Sequence, residues 1–217
     1  MKIGVFDSGK GGTVILEAIK KNLPHEQYMY IGDSENCPYG EKTDEELMKI
    51  VCEIVERLKD WGAKIIVIAC NTATTRCIDR LRELYPDLVF VGTEPAVKLA
   101  VDTGLNNVLV MATPGTIHSE RMMSLIKENQ KPGQKIDLLA CAGLADAIER
   151  GENIDVVLDG LIGKMGTYDV VVLGCTHYSL IKERIQKYFP NAKLIDGSEG
   201  VANRVSKLVL KMHKKSP

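Results

Sequence analysis

The chain has 217 residues, 45% of them apolar and 26% charged, with 8 Pro and 19 Gly. That composition excludes disordered and fibrous classes and fits a soluble globular protein of one large or two small domains. Lysine and arginine total 28 against 29 aspartate and glutamate, a net charge of −1, so no excess of charge draws the chain to nucleic acid or an anionic membrane.

A neutral or small substrate suits this balance better. Met1 leads within two residues into strand-like Ile3-Gly4-Val5-Phe6 with no signal-peptide apolar region, and apolar runs such as Lys64 to Cys70 fall far short of a membrane span. The expected location is therefore cytoplasmic. The six cysteines, at 37, 52, 70, 77, 141 and 175, are dispersed over a chain too large to need a disulfide framework and are read as thiols.

Taken in order, β-branched runs predict strands at 2–6, 27–32, 64–69, 88–92, 107–112, 135–140, 169–174 and 193–196. Each ends in Gly, Asp, Cys or Thr before a helix-patterned segment, the rhythm of a mostly parallel α/β sheet. The helix after Gly40 is the clearest. Thr43 and Glu46 form a T-x-x-E capping box, Leu47, Ile50, Val51, Ile54, Val55 and Leu58 make a 3.6-period stripe, and Gly62 can cap the end.

The second half repeats the first. Lys64-Ile-Ile-Val-Ile-Ala-Cys70 aligns with Asp169-Val-Val-Val-Leu-Gly-Cys175, an offset of 175 − 70 = 105. The same offset puts Ile3 to Ser8 on Val108 to Thr113 and Gly92-Thr-Glu94 on Gly197-Ser-Glu199. Two pseudosymmetric α/β lobes follow, 1–95 and 96–197, with the active site expected in the cleft between them. In the segment 198–217, Val201, Val205, Leu208, Val209 and Met212 fall at helical spacing. This segment is expected to pack back on the first lobe, as 94–103 should cross to the second, forming a hinge.

Ligands of open α/β sheets bind beyond the carboxyl ends of strands. Those ends are Asp7 to Gly12, the loop from Asp33 to Gly40, Cys70-Asn71-Thr72, Thr113 to Thr116, and Cys175-Thr176-His177. A pseudo-twofold axis would set Cys70 and Cys175 on opposite sides of one cleft. Inverting a stereocentre by proton transfer needs a group on each face, and two thiols suit the task when one is ionised. A helix N-terminus after each Cys is expected to lower the thiol pKa. Asn71, Thr72 and Thr176 can hold an α-carboxylate there, and Asp7 and His177 can tune protonation.

Phe6-Asp-Ser-Gly-Lys-Gly-Gly12, Pro38-Tyr-Gly40, Ala69-Cys-Asn-Thr-Ala-Thr74, Glu94-Pro95 and Leu173-Gly-Cys-Thr-His-Tyr178 resemble the ordered signature motifs of the glutamate racemases. These are cofactor-independent members of the aspartate/glutamate racemase superfamily. The resemblance runs from residue 3 to about 205. It implies a two-lobed isomerase that supplies D-glutamate for bacterial peptidoglycan, with a small amino acid as its partner, no cofactor, no metal site and a homodimeric assembly. It further implies that Cys70 and Cys175 are the acid/base thiols, with Asp7, His177 and Glu149 assisting. Ser8, Pro38, Tyr39, Gly40, Asn71, Thr72, Thr116 and Thr176 match positions that hold substrate.

The chain departs from the family pattern at Lys10, at Ser179 where a proline is usual, and at His118 and Glu120. It ends at Pro217, before the strand-and-helix tail that many members carry.

Other readings stand beside this one. Cys37, Cys52, Cys77 and Cys141 read as small buried hydrophobes. Zinc is disfavoured because no C-x-x-C is present. Gly4-x-x-x-x-Gly9-Lys10 nearly spells a phosphate loop, but Gly11 replaces the Ser/Thr and Gly4 falls inside a strand. His25, His118 and His213 sit in polar surroundings. Alternatives for function are a racemase of the same superfamily acting on aspartate or another amino acid, and a ligand-binding protein of this fold without turnover.

Overall fold

The computed structural model describes residues 1–214. They divide into two compact units, Met1–Thr93 together with the described residues from Ser198 onward, and Glu94–Gly197. The first unit contains β1 (Lys2–Asp7), α1 (Thr13–Asn22), β2 (Gln27–Gly32), α2 (Asp44–Asp60), β3 (Ile65–Ile68), α3 (Asn71–Leu84) and β4 (Val89–Gly92). The second contains α4 (Val97–Val101), β5 (Asn107–Ala112), α5 (Pro114–Ile117), α6 (Glu120–Asn129), β6 (Lys135–Ala140), α7 (Leu144–Arg150) and α8 (Ile154–Ile162), followed by β7 (Val170–Leu173), α9 (Thr176–Leu180), α10 (Lys182–Tyr188) and β8 (Lys193–Ile195). The chain returns to the first unit as α11 (Ser198–His213). All eight expected strands form, within one residue of their expected bounds.

Each unit holds a four-stranded, all-parallel sheet, ordered β2-β1-β3-β4 in the first and β6-β5-β7-β8 in the second. The 105-residue repeat is preserved in the hydrogen-bond register. Ile3 lies opposite Ile65 in one sheet, and Val108 opposite Val170 in the other.

Central strands of a parallel sheet are covered on both faces, so they read as unbroken apolar runs. In the first unit Phe6, Ile66 and Ile68 pack under α2 and α3, while Ile3, Val5, Ile65 and Val67 pack under α1 and α11. The same alternation in the second unit sends Leu109, Met111, Val171 and Leu173 toward α7–α10, and Val108, Val110, Val170 and Val172 toward α4 and α6.

The two helices that follow the sheets are exchanged between units. α4 follows β4 in the chain, yet Val97, Ala100 and Val101 pack on the second sheet. α11 follows β8, yet Val201, Ala202, Val205 and Val209 pack on the first.

Local signals set α2 as expected. Thr43 Oγ1 accepts from the Glu46 amide at 3.2 Å, and the Glu46 carboxylate accepts from the Thr43 amide at 2.9 Å, closing the capping box. At the other end Gly62 takes φ +94°. There the Gly62 amide bonds the Lys59 carbonyl and the Ala63 amide bonds the Leu58 carbonyl, a Schellman ending that a residue with a side chain would strain. Among the described residues no helix is long and apolar enough to cross a membrane.

Val205 is fully buried against the first sheet and Leu210, on the same helix, is 58% exposed. Val205→Ala should lower unfolding free energy by about 2 kcal/mol, whereas Leu210→Ala should change it by less than about 0.5 kcal/mol, both read from urea denaturation. Equal effects would show that α11 does not bury its stripe.

Candidate active site

In the first unit, adjacent strands β1 and β3 end in Asp7 and the Ala69-Cys70 segment, with Phe6 opposite Ile68 in the ladder. Asp7 is fully buried, and its Oδ2 accepts the amides of Gly9 at 3.2 Å and Gly12 at 3.0 Å. A Cβ on Gly12 would fall 2.5 Å from the Asp7 Cβ and 2.9 Å from that of Ala69, so only glycine admits this turn. Two amides of the Gly-rich loop are thus spent on the chain's own carboxylate, which disposes of the phosphate-loop reading. Gly4 lies inside β1, with Leu58 filling the space where its side chain would stand.

Cys70 is the N-cap of α3. Its Sγ accepts from the Ala73 amide at 3.5 Å and lies 3.6 Å from Ser8 Oγ. The expectation that the helix start lowers this thiol's pKa is overturned: it is pushed up to about 11. Burial is the main cause and the Asp7 charge adds to it, outweighing the hydrogen bonds from Ala73, Ser8 and Thr72.

Asn71 and Thr72 open the helix and are both buried. Asn71 Oδ1 has no hydrogen-bond partner. Pro38 follows Cys37 through a cis peptide bond, and Tyr39 and Gly40 lie in a 3-10 turn, with Tyr39 buried and its neighbours half-buried. The Tyr39 hydroxyl donates to Asp33 Oδ2 at 2.7 Å. Burial and the Asp33 carboxylate hold the phenol well above its usual pKa, so it stays neutral.

In the second unit Cys175 is the N-cap of α9. Its Sγ lies 3.9 Å from His177 Nδ1, and His177 Nε2 lies 2.8 Å from Glu149 Oε2. His177 is fully buried, and Glu149 reaches it from the end of α7. Assigning the tautomer from the carboxylate puts the proton on Nε2 and leaves Nδ1 as an acceptor facing the thiol. Thiol, imidazole and carboxylate thus stand in series. Thr116 is fully buried and held by the N-cap Thr113, whose Oγ1 lies 3.1 Å from Thr116 Oγ1. Thr176 opens α9 beside Cys175 and is buried.

The thirteen expected site residues thus fall into two groups. Asp7, Ser8, Pro38, Tyr39, Gly40, Cys70, Asn71 and Thr72 belong to the first unit, and Thr116, Glu149, Cys175, Thr176 and His177 to the second. Cys77 and Cys141 are buried as expected, but Cys37 and Cys52 are only half-buried. Cys37 sits in an irregular loop and Cys52 on the flank of the α2 stripe, where packing covers them incompletely.

The sequence did not single out Arg76, whose partners, the Tyr39 and Lys42 carbonyls and the Asp44 carboxylate, lie more than thirty positions away. A cavity of about 610 Å³ beside β2 and α2, lined by Asp33, Asn36, Glu53 and Arg57 among others, includes neither Cys70 nor Cys175.

Residues 13–205 match the Asp/Glu/Hydantoin racemase family. The chain is 38% identical to the glutamate racemase of Bifidobacterium animalis subsp. lactis, over 99% of this chain and 87% of that protein. It superposes on the crystal structure of Escherichia coli glutamate racemase in complex with L-glutamate and the activator UDP-MurNAc-Ala with a TM-score of 0.85. Identity there is 32%, covering 96% of this chain and 82% of the other. The glutamate racemase of Francisella tularensis in complex with D-glutamate gives a TM-score of 0.83 at 30% identity, covering 98% and 81%.

A thiol whose pKa stands at about 11 stays protonated through the range where an ordinary cysteine ionises. Alkylation of Cys70 by iodoacetamide in the ligand-free protein, followed by peptide mass spectrometry, should climb about tenfold per pH unit past pH ~9 before levelling. Asp7→Asn removes a like charge and should move the inflection downward. A wild-type profile that levels near pH ~9, the ordinary thiol range, would show that burial does not govern this thiol.

Proposed function

The chain belongs to the Asp/Glu/hydantoin racemase family, and we propose that it interconverts L- and D-glutamate by a two-thiol acid/base mechanism. The observation that carries this reading is the 38% identity to a glutamate racemase over 99% of the chain, in a chain where each repeat sets a buried cysteine at a helix N-cap.

The reaction requires one thiol at each face of the substrate α-carbon. For L-glutamate, the Cys175 thiolate takes the α-proton and becomes a thiol, and the C–H electron pair remains on the α-carbon, stabilised by the carboxylate. The Cys70 thiol then delivers its proton to the opposite face and is left as thiolate, so a D-glutamate is released with no net gain or loss of protons. For D-glutamate the roles exchange. His177, held by Glu149, and Asp7, beside Cys70, reset the two thiols between turnovers.

Each environment suits its task. The elevated pKa of Cys70 makes its thiolate a strong base, and the cationic ammonium of a bound amino acid would offset the cost of forming that thiolate. Asn71 Oδ1, buried without a donor, is placed to accept from that ammonium, which would remove a penalty of about 1–3 kcal/mol. The amides opening α3, with Thr72, Thr116 and Thr176, hold the substrate carboxylates. Ser8 and the Pro38-Tyr39-Gly40 turn complete the pocket, and the neutral Tyr39 adds no charge to compete with the thiolate. Both acid and base come from the chain itself, so the mechanism needs no cofactor. The product fits a cytoplasmic role in peptidoglycan synthesis, and a homodimer is the assembly proposed.

Purified protein incubated with L-glutamate should lose optical activity in circular dichroism and yield D-glutamate on chiral chromatography, with L-aspartate as the competing substrate. Racemisation of aspartate alone would reassign the substrate. Cys70→Ser and Cys175→Ser should each cut racemisation in both directions by ~10²–10⁴, and near wild-type turnover in either would sink the two-thiol assignment. Activity should survive exhaustive dialysis against EDTA; loss on chelation, restored by added metal, would replace this mechanism with a metal-assisted one.

A further inference from the structure

Tyr39 is held at both ends. Its hydroxyl donates to Asp33, which also accepts from the Asn36 side-chain amide at 2.9 Å. Its carbonyl accepts from Arg76 Nη1 at 3.4 Å. The same guanidinium donates through Nη2 to the Lys42 carbonyl at 2.8 Å and through Nε to Asp44 Oδ1 at 2.6 Å. The Arg76 side chain is only 14% exposed, although Asp44 is at the surface.

Three acceptors on the 39–44 segment thus meet one planar fork. Arg76 projects from α3, the helix whose N-cap is Cys70. The segment it grips has no sheet partner. It consists of the 3-10 turn Tyr39–Glu41 and the extended N-cap Thr43 of α2, and follows a second 3-10 turn, Ser34–Asn36. The Tyr39 carbonyl already accepts the Lys42 amide at 3.3 Å within its turn; the arginine adds a second donor there while reaching the Lys42 carbonyl and Asp44 in one fixed geometry, which a lysine cannot.

We infer that Arg76 is a positioning residue for the reaction, fixing the Pro38-Tyr39-Gly40 turn at a set distance from the Cys70 thiol. This rests on the proposed function for its catalytic consequence and on the contacts alone for its structural one. If the turn were released, the groups that hold substrate beside Cys70 would be loosely placed. Misplacement by about 1 Å can cost about a hundredfold in rate, and here the loss should fall first on binding.

Arg76→Ala should therefore raise the KM for both glutamate enantiomers about tenfold or more, with a smaller change in kcat. Arg76→Lys keeps a cation for Asp44 but not the fork and should resemble Arg76→Ala. Millimolar guanidinium should restore part of the lost affinity in Arg76→Ala. Arg80→Ala, whose Glu83 partner is on the surface, should match wild type. Independently of activity, tryptic cleavage after Lys42 should accelerate about tenfold in Arg76→Ala but not in Arg80→Ala.

Should Arg76→Ala prove unfolded, Asp44→Asn, which removes only the outer partner, should still raise KM and Lys42 cleavage in the same direction. Unchanged KM and unchanged cleavage at Lys42 in a folded Arg76→Ala, with wild type racemising glutamate, would overturn this inference and leave the proposed function standing. Wild type that racemises nothing would overturn the proposed function, and the cleavage rates would still decide whether Arg76 holds the turn.

Discussion

Parallel pairing of β1 with β3 is the constraint on which the chemistry of the first unit depends. With Phe6 opposite Ile68, the two strands deliver Asp7 and Cys70 to the same end of the sheet. Both central strands are buried on both faces, so a slip in register would carry apolar residues out of two cores at once. The glycine at position 12 follows from the same constraint, because the Asp7 side chain fills the space a side chain there would need. Ser8, Asn71 and Thr72 inherit their positions from these two strand ends.

The repeat preserves the scaffold more strictly than the chemistry. The 105-residue offset carries β1 onto β5, β3 onto β7 and Cys70 onto Cys175. It also carries Asp7 onto Ala112 and Thr72 onto His177. One thiol therefore has a carboxylate beside it in the fold, and the other has an imidazole backed by Glu149 from a different helix. Two different sets of ionisable neighbours on equivalent frames tune the two thiol environments differently, which a strictly symmetric pair would not.

Burial does most of that tuning in the first unit. A helix N-terminus and three hydrogen bonds favour the Cys70 thiolate, yet desolvation together with Asp7 prevails and the pKa rises. The same low-dielectric surroundings keep Tyr39 neutral and make the unpartnered Asn71 oxygen costly. The first unit gives up stability at these groups and recovers it in the apolar layers beneath, where α11 closes the face opposite α2 and α3.

What the amino-acid sequence determined by itself was whatever depends on near neighbours or on pattern. Apolar runs marked all eight strands, Thr43 and Glu46 announced the start of α2, and the repeat paired Cys70 with Cys175, because strand burial, capping and duplication leave their signal within a few residues or at one fixed offset. The motif resemblance pointed further, to Glu149 and to the Pro38-Tyr39-Gly40 turn. The crossing of α4 and α11 between sheets was likewise expected from their place after each completed sheet; tertiary structure alone decided the direction of the Cys70 pKa, the contact of Glu149 with His177, and the grip of Arg76 on the Tyr39 turn. These depend on how deeply a group is buried and on partners about thirty or more positions away, such as Tyr39 and Lys42 for Arg76, and neither quantity is written in the local order of residues.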